Sequence, residues 1–422
     1  MTADLSPSPR IARLAALAAL PERRVLGLMS GTSMDGLDLA LCRIAGRGGD
    51  TSLALEHHAT VAYTPALREE LAAVVSRPTV SLADLTVLHG RLATLHGAMV
   101  LETLAGWGVD PAQVHLLASH GQTVWHAPDV PAPGEPREGA PKDTVDGILA
   151  PRHATLQIGD GDLLAVRTGL LTLSDFRQKE IAHGGQGAPL APYGEALLFA
   201  GEQPRILLNL GGIANFTRLP PKGSGAPILT GDTGPANGLL DRALRRFFPD
   251  HPDGFDRGGI LAAQGRVHAP LLERMKAHPY FARPCPKSTG PELFGEAFLD
   301  GALTGTAGAA PSPEDLLATL ARLTVETVAE TLHRECARAG LPLEGCEGFI
   351  SGGGRHHPAL RDGIMAALGE VDWRDAEALG IDPDAKEAVL FAALAHESLF
   401  GVGFPAPAGN TRFGFGKLSW PD

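Results

Sequence analysis

Three glycine-rich turns constrain the fold of this chain more than any other feature of its sequence. They lie at Ser30–Gly36, at Leu210–Asn215 near the middle of the chain, and at Gly352–Gly354, and each follows a short apolar run. Glycine lets backbone N–H groups approach a ligand without a Cβ in the way, so such turns are typical of phosphate sites. Singly, the first turn could be only a hairpin tip, and the triple glycine could serve close strand–helix packing. Together they favour a nucleotide site.

The layout of the first half of the chain recurs in the second half. In both halves a glycine turn separates two strand patterns, a third strand pattern follows, and helical patterns come next. Strands that alternate with helices predict an α/β architecture, here two similar lobes around a cleft. We expect an N-terminal extension over 1–22, a first lobe over 23–195 completed by a C-terminal helix over 386–422, and a second lobe over 196–385.

Local signals predict several boundaries within this layout. Ser81 and Ser312 stand where helix N-caps are expected, and Pro313 suits the first position of a helix. The segment Ser119–Thr123 is predicted to be a turn that closes a strand, and Gly231–Gly234 is predicted to be a turn after the strand at 227–230.

Composition excludes several classes of function. The 422 residues carry a formal net charge of −12, which opposes binding to DNA or to anionic lipid. Four cysteines without a CxxC pair argue against a disulfide scaffold or a structural zinc site. No apolar run approaches the ~20 residues of a membrane helix, and the N-terminal apolar stretch lacks a signal-peptide cleavage site. We therefore expect a cytoplasmic protein without nucleic-acid or membrane partners.

The string GLMSGTSMDGLD at 27–38 resembles the opening signature of the anhydro-N-acetylmuramic acid kinases, a family of the sugar kinase/hsp70/actin superfamily. The similarity spans about residues 25–400 and continues in SHGQT (119–123), QIGDG (157–161), SDFR (174–177), GGQGAPL (184–190), LNLGGIAN (208–215), DTGP (232–235), KSTG (287–290) and SGGG (351–354). It implies a two-lobed actin/hexokinase-like fold, with a mixed sheet flanked by helices in each lobe and the nucleotide in the cleft between lobes. It also implies a homodimer.

The resemblance implies a specific reaction in peptidoglycan recycling. The family uses ATP and Mg²⁺ to open the internal bridge of 1,6-anhydro-N-acetylmuramic acid with water and to phosphorylate O6, giving N-acetylmuramic acid 6-phosphate. The resemblance places the family's catalytic aspartate on Asp175, in the SDFR motif. A carboxylate suits this role because water attacking the anomeric carbon must lose a proton to a nearby base. The implied ATP-binding residues are Gly31, Thr32, Ser33, Met34, Asp35, Gly36, Leu37, Asp38, Gly211, Gly212, Asn215, Gly352, Gly353 and Gly354.

The remaining predicted site residues are polar or lie in a further glycine turn. Expected substrate contacts are His120, Gln122, Arg177, Gly185, Gln186 and Glu292. Of these, His120 and Gln122 could instead be structural residues, and the turn at 184–187 could be a simple bend. Asp35 and Asp232 are expected to hold Mg²⁺ through water, because this cation usually keeps part of its hydration shell.

Two other functions stay open at this point. An ordinary hexose or amino-sugar kinase of the same superfamily would use Asp175 to deprotonate a sugar hydroxyl, and no bridge would open. A non-catalytic sugar sensor or a filament-forming actin relative would need no catalytic carboxylate. The intact Asp175 argues against such a protein, and the absence of a basic helix-turn-helix segment argues against DNA binding.

Overall fold

The chain divides into two compact units. The computed structural model describes residues 8–31, 34–127, 144–145, 148–149, 153–290, 293–304, 311–382, 385–407 and 411–422. Unit 1 comprises Met1–Leu198 with Asp384–Asp422, and unit 2 comprises Phe199–Pro383. Three predicted site residues, Thr32, Ser33 and Glu292, lie outside the described residues.

Strands and helices alternate along the chain, as predicted for an α/β protein. From the N-terminus to the end of α6 the elements are α1 (Pro9–Ala19), β1 (Glu22–Ser30), β2 (Gly36–Ala45), β3 (Ser52–Ala62), α2 (Pro65–Ala72), α3 (Leu82–Gly106), β4 (Leu116–Ala127), β5 (Thr144–Val145), β6 (Ile148–Leu149), β7 (Ala154–Ile158), α4 (Gly161–Thr168), β8 (Thr172–Ser174), α5 (Phe176–Ala182) and α6 (Ala191–Phe199). Unit 2 continues with β9 (Arg205–Leu210), β10 (Ile213–Leu219), β11 (Leu229–Pro235), α7 (Asn237–Phe247), α8 (Ala269–Lys276), α9 (Pro279–Ala282), α10 (Glu296–Thr304), α11 (Pro313–Ala339), β12 (Glu347–Ser351), α12 (Pro358–Ala367) and β13 (Asp372–Arg374). The chain then returns to unit 1 with α13 (Lys386–Phe400), β14 (Phe404–Pro405), β15 (Arg412–Phe413) and β16 (Lys417–Ser419). Short 3-10 helices lie at Gly48–Asp50, Pro111–Gln113, Arg257–Gly259, Ala262–Gln264, Gly353–His356 and Ala376–Leu379.

Unit 1 is built on a seven-stranded mixed sheet. The order is β16-β8-β4-β1-β2-β3, and β7 pairs with the C-terminal part of β4. Strands β1, β2 and β3 run antiparallel to one another in turn, whereas β4 is parallel to β1 and β8 is parallel to β4. Helix α3 begins after its predicted N-cap Ser81 and buries a stripe that includes Leu88, Leu92 and Leu104 in the unit 1 core.

Unit 2 repeats this plan on a five-stranded sheet. Its order is β11-β10-β9-β12-β13, with β9, β10 and β11 antiparallel in turn and β12 and β13 parallel to β9. The order and the directions match those of β3-β2-β1-β4-β8, so the recurring layout expected from the sequence is confirmed. Helix α11, capped by Ser312 and ended by Gly340, fills the core of this unit. The predicted α/β class, with a mixed sheet and flanking helices in each half, is confirmed.

The predicted turns at SHGQT and at 231–234 are wrong. Residues 119–123 lie inside β4, and Asp232 lies inside β11. In β4, Gly121 has a positive φ of 72° next to a shift in the register of the β1–β4 pairing. Such a glycine makes a bulge, which bends a strand without ending it. The signal taken for a turn therefore marks an irregular strand.

The C-terminal helix is shorter than predicted. It ends at Phe400, and short strands rather than helix occupy the described residues after it. Gly401 and Gly403 follow the helix directly, and Gly403 has a positive φ of 71°, which a helix does not accommodate. The last strand, β16, pairs with β8 and thereby joins the unit 1 sheet.

The predicted N-terminal extension contains α1, which a buried arginine anchors. The guanidinium of Arg23 donates to the carbonyls of Leu17 and Leu20, at 2.7 and 2.8 Å, and so caps the C-terminal end of α1. It also stacks over the ring of Phe400, 4.5 Å from the centroid. No described helix, α1 included, is both long and apolar enough to cross a bilayer.

Candidate active site

The first glycine turn, Ser30–Gly36, joins β1 to β2. The carbonyl of Gly31 accepts a hydrogen bond from the Met34 N–H at 3.2 Å, and Met34 adopts a left-handed φ of 54°. Gly36 packs so closely on β3 that a Cβ would lie 2.7 Å from the Val61 carbonyl oxygen. The Leu37 side chain is buried in the core, so only its backbone is available to a ligand.

Asp175, the predicted base, stands between β8 and α5 in an uncommon backbone conformation. Its φ of 54° and ψ of 51° are left-handed, and its side chain makes no capping hydrogen bond to its own helix. Instead, Oδ2 lies 2.5 Å from Nζ of Lys417, the first residue of β16. The carboxylate is 28% exposed and the lysine 70% exposed. The charge is thus held by a neighbouring strand and stays accessible to solvent.

Arg177 links two of the predicted substrate motifs. Its Nε donates to Nε2 of His120 at 2.9 Å, and its Nη1 donates to the Gly187 carbonyl at 2.8 Å. Since an arginine can only donate, His120 Nε2 is an acceptor and the ring proton sits on Nδ1, which donates to the Gly121 carbonyl at 2.8 Å. Burial, and then the Arg177 charge, hold the pKa of His120 well below its usual range. His120 is therefore neutral and bound on both nitrogens.

A buried carboxylate organises the glycine turn at 184–187. Glu180 accepts a short hydrogen bond from the Gly187 N–H and one of 3.4 Å from the Tyr193 hydroxyl. A Cβ at Gly185 would collide with this carboxylate, which explains the glycine there. Burial raises the pKa of Glu180. Gln186, on the same turn, is partly exposed and can reach a ligand.

Gln122 has protein atoms as its described partners. It is fully buried, its Oε1 accepts from the Ser30 hydroxyl at 2.5 Å, and its Nε2 faces the Gly31 carbonyl at 3.3 Å. Its predicted contact with sugar stays a prediction, whereas its contact with the first glycine turn is explicit in the structure.

In unit 2, the second glycine turn packs directly on the triple glycine. A Cβ at Gly352 would lie 2.7 Å from the Leu210 carbonyl oxygen, and one at Gly354 would lie 2.6 Å from the Leu210 Cβ. Asn237, at the start of α7, donates its Nδ2 to the same Leu210 carbonyl at 2.9 Å, while its backbone N–H binds the Gly211 carbonyl at 3.0 Å. Two motifs far apart in sequence thus form one surface of tight backbone.

A row of polar residues crosses the unit 2 sheet beside this surface. Asn215 on β10 pairs in register with Asn209 on β9 and with Asp232 on β11. Directly paired residues present their side chains on the same face of a sheet. The Asp232 carboxylate also accepts the Thr289 N–H at 2.8 Å, which brings the KSTG segment to the row.

Comparison with known proteins places this chain in a family. The family model for anhydro-N-acetylmuramic acid kinase matches residues 23–135 and 144–411. The chain belongs to the anhydro-N-acetylmuramic acid kinase family. A kinase of that name from Pseudoalteromonas atlantica is 42% identical over 95% of this chain and 96% of the relative. Those from Salinibacter ruber and Xanthomonas oryzae pv. oryzae are 38% and 40% identical over 97% and 89% of this chain, and over 99% and 91% of the relatives. The family predicted from the motifs is confirmed, and the protein is a kinase.

The chemistry of two carboxylates in this kinase suits a hydrated magnesium ion. Asp35 is exposed on the first glycine turn, and Asp232 is partly exposed in the polar row of unit 2. No group of three or more metal-binding side chains occurs in the part of the chain that the structure describes. Carboxylate oxygens are ligands that Mg²⁺ accepts, so each aspartate by itself fits the predicted cation, and its role in binding Mg²⁺ stays a prediction.

Several residues that contact the predicted site residues were not identified from the sequence. Lys417 and Glu180 carry no motif signal that distinguishes them from surface or loop residues, and Asn237 and Asn209 were not singled out as site residues. Two of them could have been suspected, because Asn209 lies in the LNLGGIAN string and Asn237 follows DTGP closely. The contact of Lys417 with Asp175 depends on the pairing of β16 with β8, and the contact of Glu180 with Gly187 depends on the chain folding back after α5. Neither contact can be predicted from a local motif.

Proposed function

We propose that the protein converts 1,6-anhydro-N-acetylmuramic acid, ATP and water to N-acetylmuramic acid 6-phosphate and ADP. Water forms a bond to the anomeric carbon, the bond from that carbon to O6 breaks, and O6 forms a bond to the γ-phosphorus as ADP leaves. One proton is released from the water. Membership in the kinase family supports this reaction, and a plain sugar kinase without bridge opening is not favoured.

The single observation that carries the chemistry is the environment of Asp175. The oxygens of a carboxylate that caps its own helix would accept hydrogen bonds from backbone N–H groups of that helix. Asp175 occupies the N-cap position without doing so, and in the described part of the chain Lys417 contacts only its Oδ2. A general base must have an oxygen within hydrogen-bond reach of the attacking water. Asp175 meets this requirement once the anomeric carbon is bound nearby.

The sugar would be held by the group around Arg177. Burial lowers the pKa of Arg177 to about 10, so the guanidinium stays charged at neutral pH. A muramic acid carries a carboxylate, and a guanidinium is the side chain that best matches that group. The turn at Gly185 and Gln186, held in shape by Glu180, would contribute backbone and amide contacts to sugar hydroxyls.

ATP binding would use the glycine turns predicted from the sequence. The first turn, with Asp35 and Asp38, would contribute backbone N–H groups to phosphates. In unit 2, the backbone could approach the nucleotide closely at Gly211, Gly212 and the triple glycine, because these residues have no Cβ. Positioning and charge neutralisation dominate phosphoryl transfer, so such turns suit the reaction. Magnesium bound through water at Asp35 or Asp232 would supply neutralisation of phosphate charge.

Product mass tests the proposed reaction. Because O6 is locked in the anhydro bridge, an ordinary kinase could phosphorylate only another hydroxyl, and its product would lack one water relative to N-acetylmuramic acid 6-phosphate. We expect the hydrated product, carrying one labelled oxygen when the reaction runs in ¹⁸O-water. Mass spectrometry of the quenched reaction measures both.

A matched control excludes exchange at the anomeric centre. Unlabelled N-acetylmuramic acid 6-phosphate is incubated in ¹⁸O-water with enzyme and ADP for the same time, and it should gain much less label. A phosphorylated product that retains the anhydro bridge would refute bridge opening and favour an ordinary amino-sugar kinase. Absence of ATP turnover with the anhydro sugar would refute the proposed function altogether.

Replacing Lys417 with methionine should lower kcat roughly tenfold, because the Asp175 carboxylate loses the contact that fixes its orientation. Thermal stability should hardly change, since exposed ion pairs contribute only ~0–1 kcal/mol. Lys417→Arg should restore most of the rate, and Lys222→Met, at an exposed lysine of unit 2, is the matched control. Steady-state kinetics measure kcat, and a melting curve measures thermal stability. Wild-type kcat in Lys417→Met would show that the ion pair has no part in turnover.

The expected homodimer and the cytoplasmic location stay predictions. The homodimer can be tested by light scattering after gel filtration at several protein concentrations. The expected absence of nucleic-acid binding also stays a prediction, which rests on the net charge of −12.

A further inference from the structure

Tyr63 contacts both ends of the first glycine turn. Its backbone N–H donates to the Asp35 carbonyl at 2.9 Å, near the end of the turn. Its hydroxyl donates to the Ser30 hydroxyl oxygen at 2.8 Å, at the beginning of the turn. Tyr63 is 5% exposed and lies directly after β3, outside every motif that identified the family. One buried residue thus brackets the turn.

The hydroxyl of Tyr63 belongs to a directed chain of hydrogen bonds. The Gln122 amide places its Nε2 against the carbonyls of Gly31 and Thr123, both at 3.3 Å, so its Oε1 faces Ser30 as an acceptor. Ser30 must therefore donate its single hydrogen to Gln122, and it can only accept from Tyr63. The Tyr63 oxygen lies 2.7 Å from Nε2 of His96, which must be a donor.

His96 begins this chain as a neutral imidazole. It lies on α3, is 1% exposed, and burial lowers its pKa to about 4. Each group in the chain donates in the same direction, and the chain ends on the Gly31 carbonyl, which also accepts from Met34. Hydrogen bonds aligned in this way polarise one another and stiffen the groups they join.

We infer that Tyr63 and His96 are positioning residues for the first glycine turn. Through Ser30 and Gln122 their side chains are linked to the Gly31 carbonyl, and the Tyr63 N–H binds the Asp35 carbonyl, so both described ends of the turn are held from inside unit 1. This inference rests on the proposed role of the turn in binding ATP phosphates. A misplacement of that backbone would move the γ-phosphoryl group relative to O6, which lowers the rate of transfer more than it weakens sugar binding.

Tyr63→Phe removes the central link while preserving the backbone contact to Asp35. Ser30 then loses its donor and His96 loses its acceptor, both in a buried environment. We expect kcat to fall roughly 10- to 100-fold with KM for the sugar changed less than threefold, as for a positioning defect. His96→Leu should likewise lower kcat much more than it changes KM. His96→Gln, which retains a hydrogen-bond donor, should keep more activity than His96→Leu.

Thr168→Val is the matched control for loss of a buried hydroxyl. Thr168 ends α4, is 5% exposed, donates to the Leu164 carbonyl at 2.8 Å, and belongs to none of the predicted site motifs. It should lower the melting temperature about as much as Tyr63→Phe without a comparable fall in kcat. The double variant Tyr63→Phe/His96→Leu should lose little more rate than either single variant, because the chain acts as a unit.

The outcomes separate this inference from the proposed function. An active wild-type enzyme with normal kcat in Tyr63→Phe would overturn the inference alone. A fall in kcat equal to that of Thr168→Val would also overturn it, since the effect would then be general destabilisation. Wild-type enzyme that neither binds ATP nor turns over the anhydro sugar would overturn the proposed function and this inference together. If Tyr63→Phe does not fold, His96→Leu and His96→Gln test the inference instead. A higher kcat in His96→Gln than in His96→Leu supports it, and equal kcat values in the two variants overturn it.

Discussion

Asp175→Asn should reduce turnover roughly 10²- to 10⁴-fold, the usual contribution of a general base, while ATP binding stays near the wild-type level. Asparagine has the same shape, cannot accept a proton from water at neutral pH, and tolerates the left-handed backbone that this position requires. The loss therefore isolates the charge of the carboxylate from the geometry of the chain. Turnover by coupled ADP release and ATP affinity by calorimetry measure the two effects separately.

Asp110→Asn is the matched control for this substitution. Asp110 is an exposed N-cap whose carboxylate accepts the Ala112 N–H at 2.9 Å, and asparagine caps nearly as well. It should leave both kinetics and stability near wild type. Asp175→Asn with near-normal kcat would refute the assignment of the base and direct attention to another acceptor. A parallel loss of ATP binding would instead indicate that Asp175 supports the nucleotide site.

The α/β architecture could be predicted from the sequence because its signals are local. Period-two strand patterns, the N-caps at Ser81 and Ser312 and the stop at Gly340 each depend on neighbouring residues only. The recurrence of these signals predicted the repeated layout, whereas the matching strand order of the two sheets is known only from the structure. The continuity of β4 was harder to predict. A glycine such as Gly121 gives the same sequence signal whether it makes a bulge within a strand, as it does here, or a turn that ends one.

The candidate site could be predicted only in part, because motifs report residues and not their partners. Nothing in the KLSWPD tail indicates that Lys417 would meet Asp175, since the contact depends on β16 joining β8. Tyr63 and His96 are similarly invisible, because a buried tyrosine and a helical histidine are ordinary core residues until their bonding partners are known. Long-range pairing, which tertiary folding determines, supplies this part of the site.

Gly27→Ala should destabilise unit 1 by about 3 kcal/mol or more, at or beyond the upper end of usual overpacking costs. Gly27 lies in β1 where α13 crosses, and a Cβ there would overlap the Ala388 carbonyl oxygen and lie 3.0 Å from the Ala392 nitrogen. The obstacles are backbone atoms, so no rotamer change relieves them. The melting temperature of the unit should fall roughly 6–12 °C, given ~2–4 °C per kcal/mol for a unit of this size.

Gly106→Ala is the control that separates this steric effect from any loss of glycine. Gly106 ends α3 in the same unit, a Cβ there would meet nothing within 4 Å, and alanine favours helix, so stability should be unchanged or slightly higher. Wild-type stability in Gly27→Ala would show that α13 can withdraw from β1 at little cost. A loss of stability in Gly27→Ala but not in Gly106→Ala would mean that the glycines of the signature at 27–38 have two separate functions. Gly27 lets α13 approach β1 closely, whereas Gly31 and Gly36 shape the turn that we propose for phosphate binding.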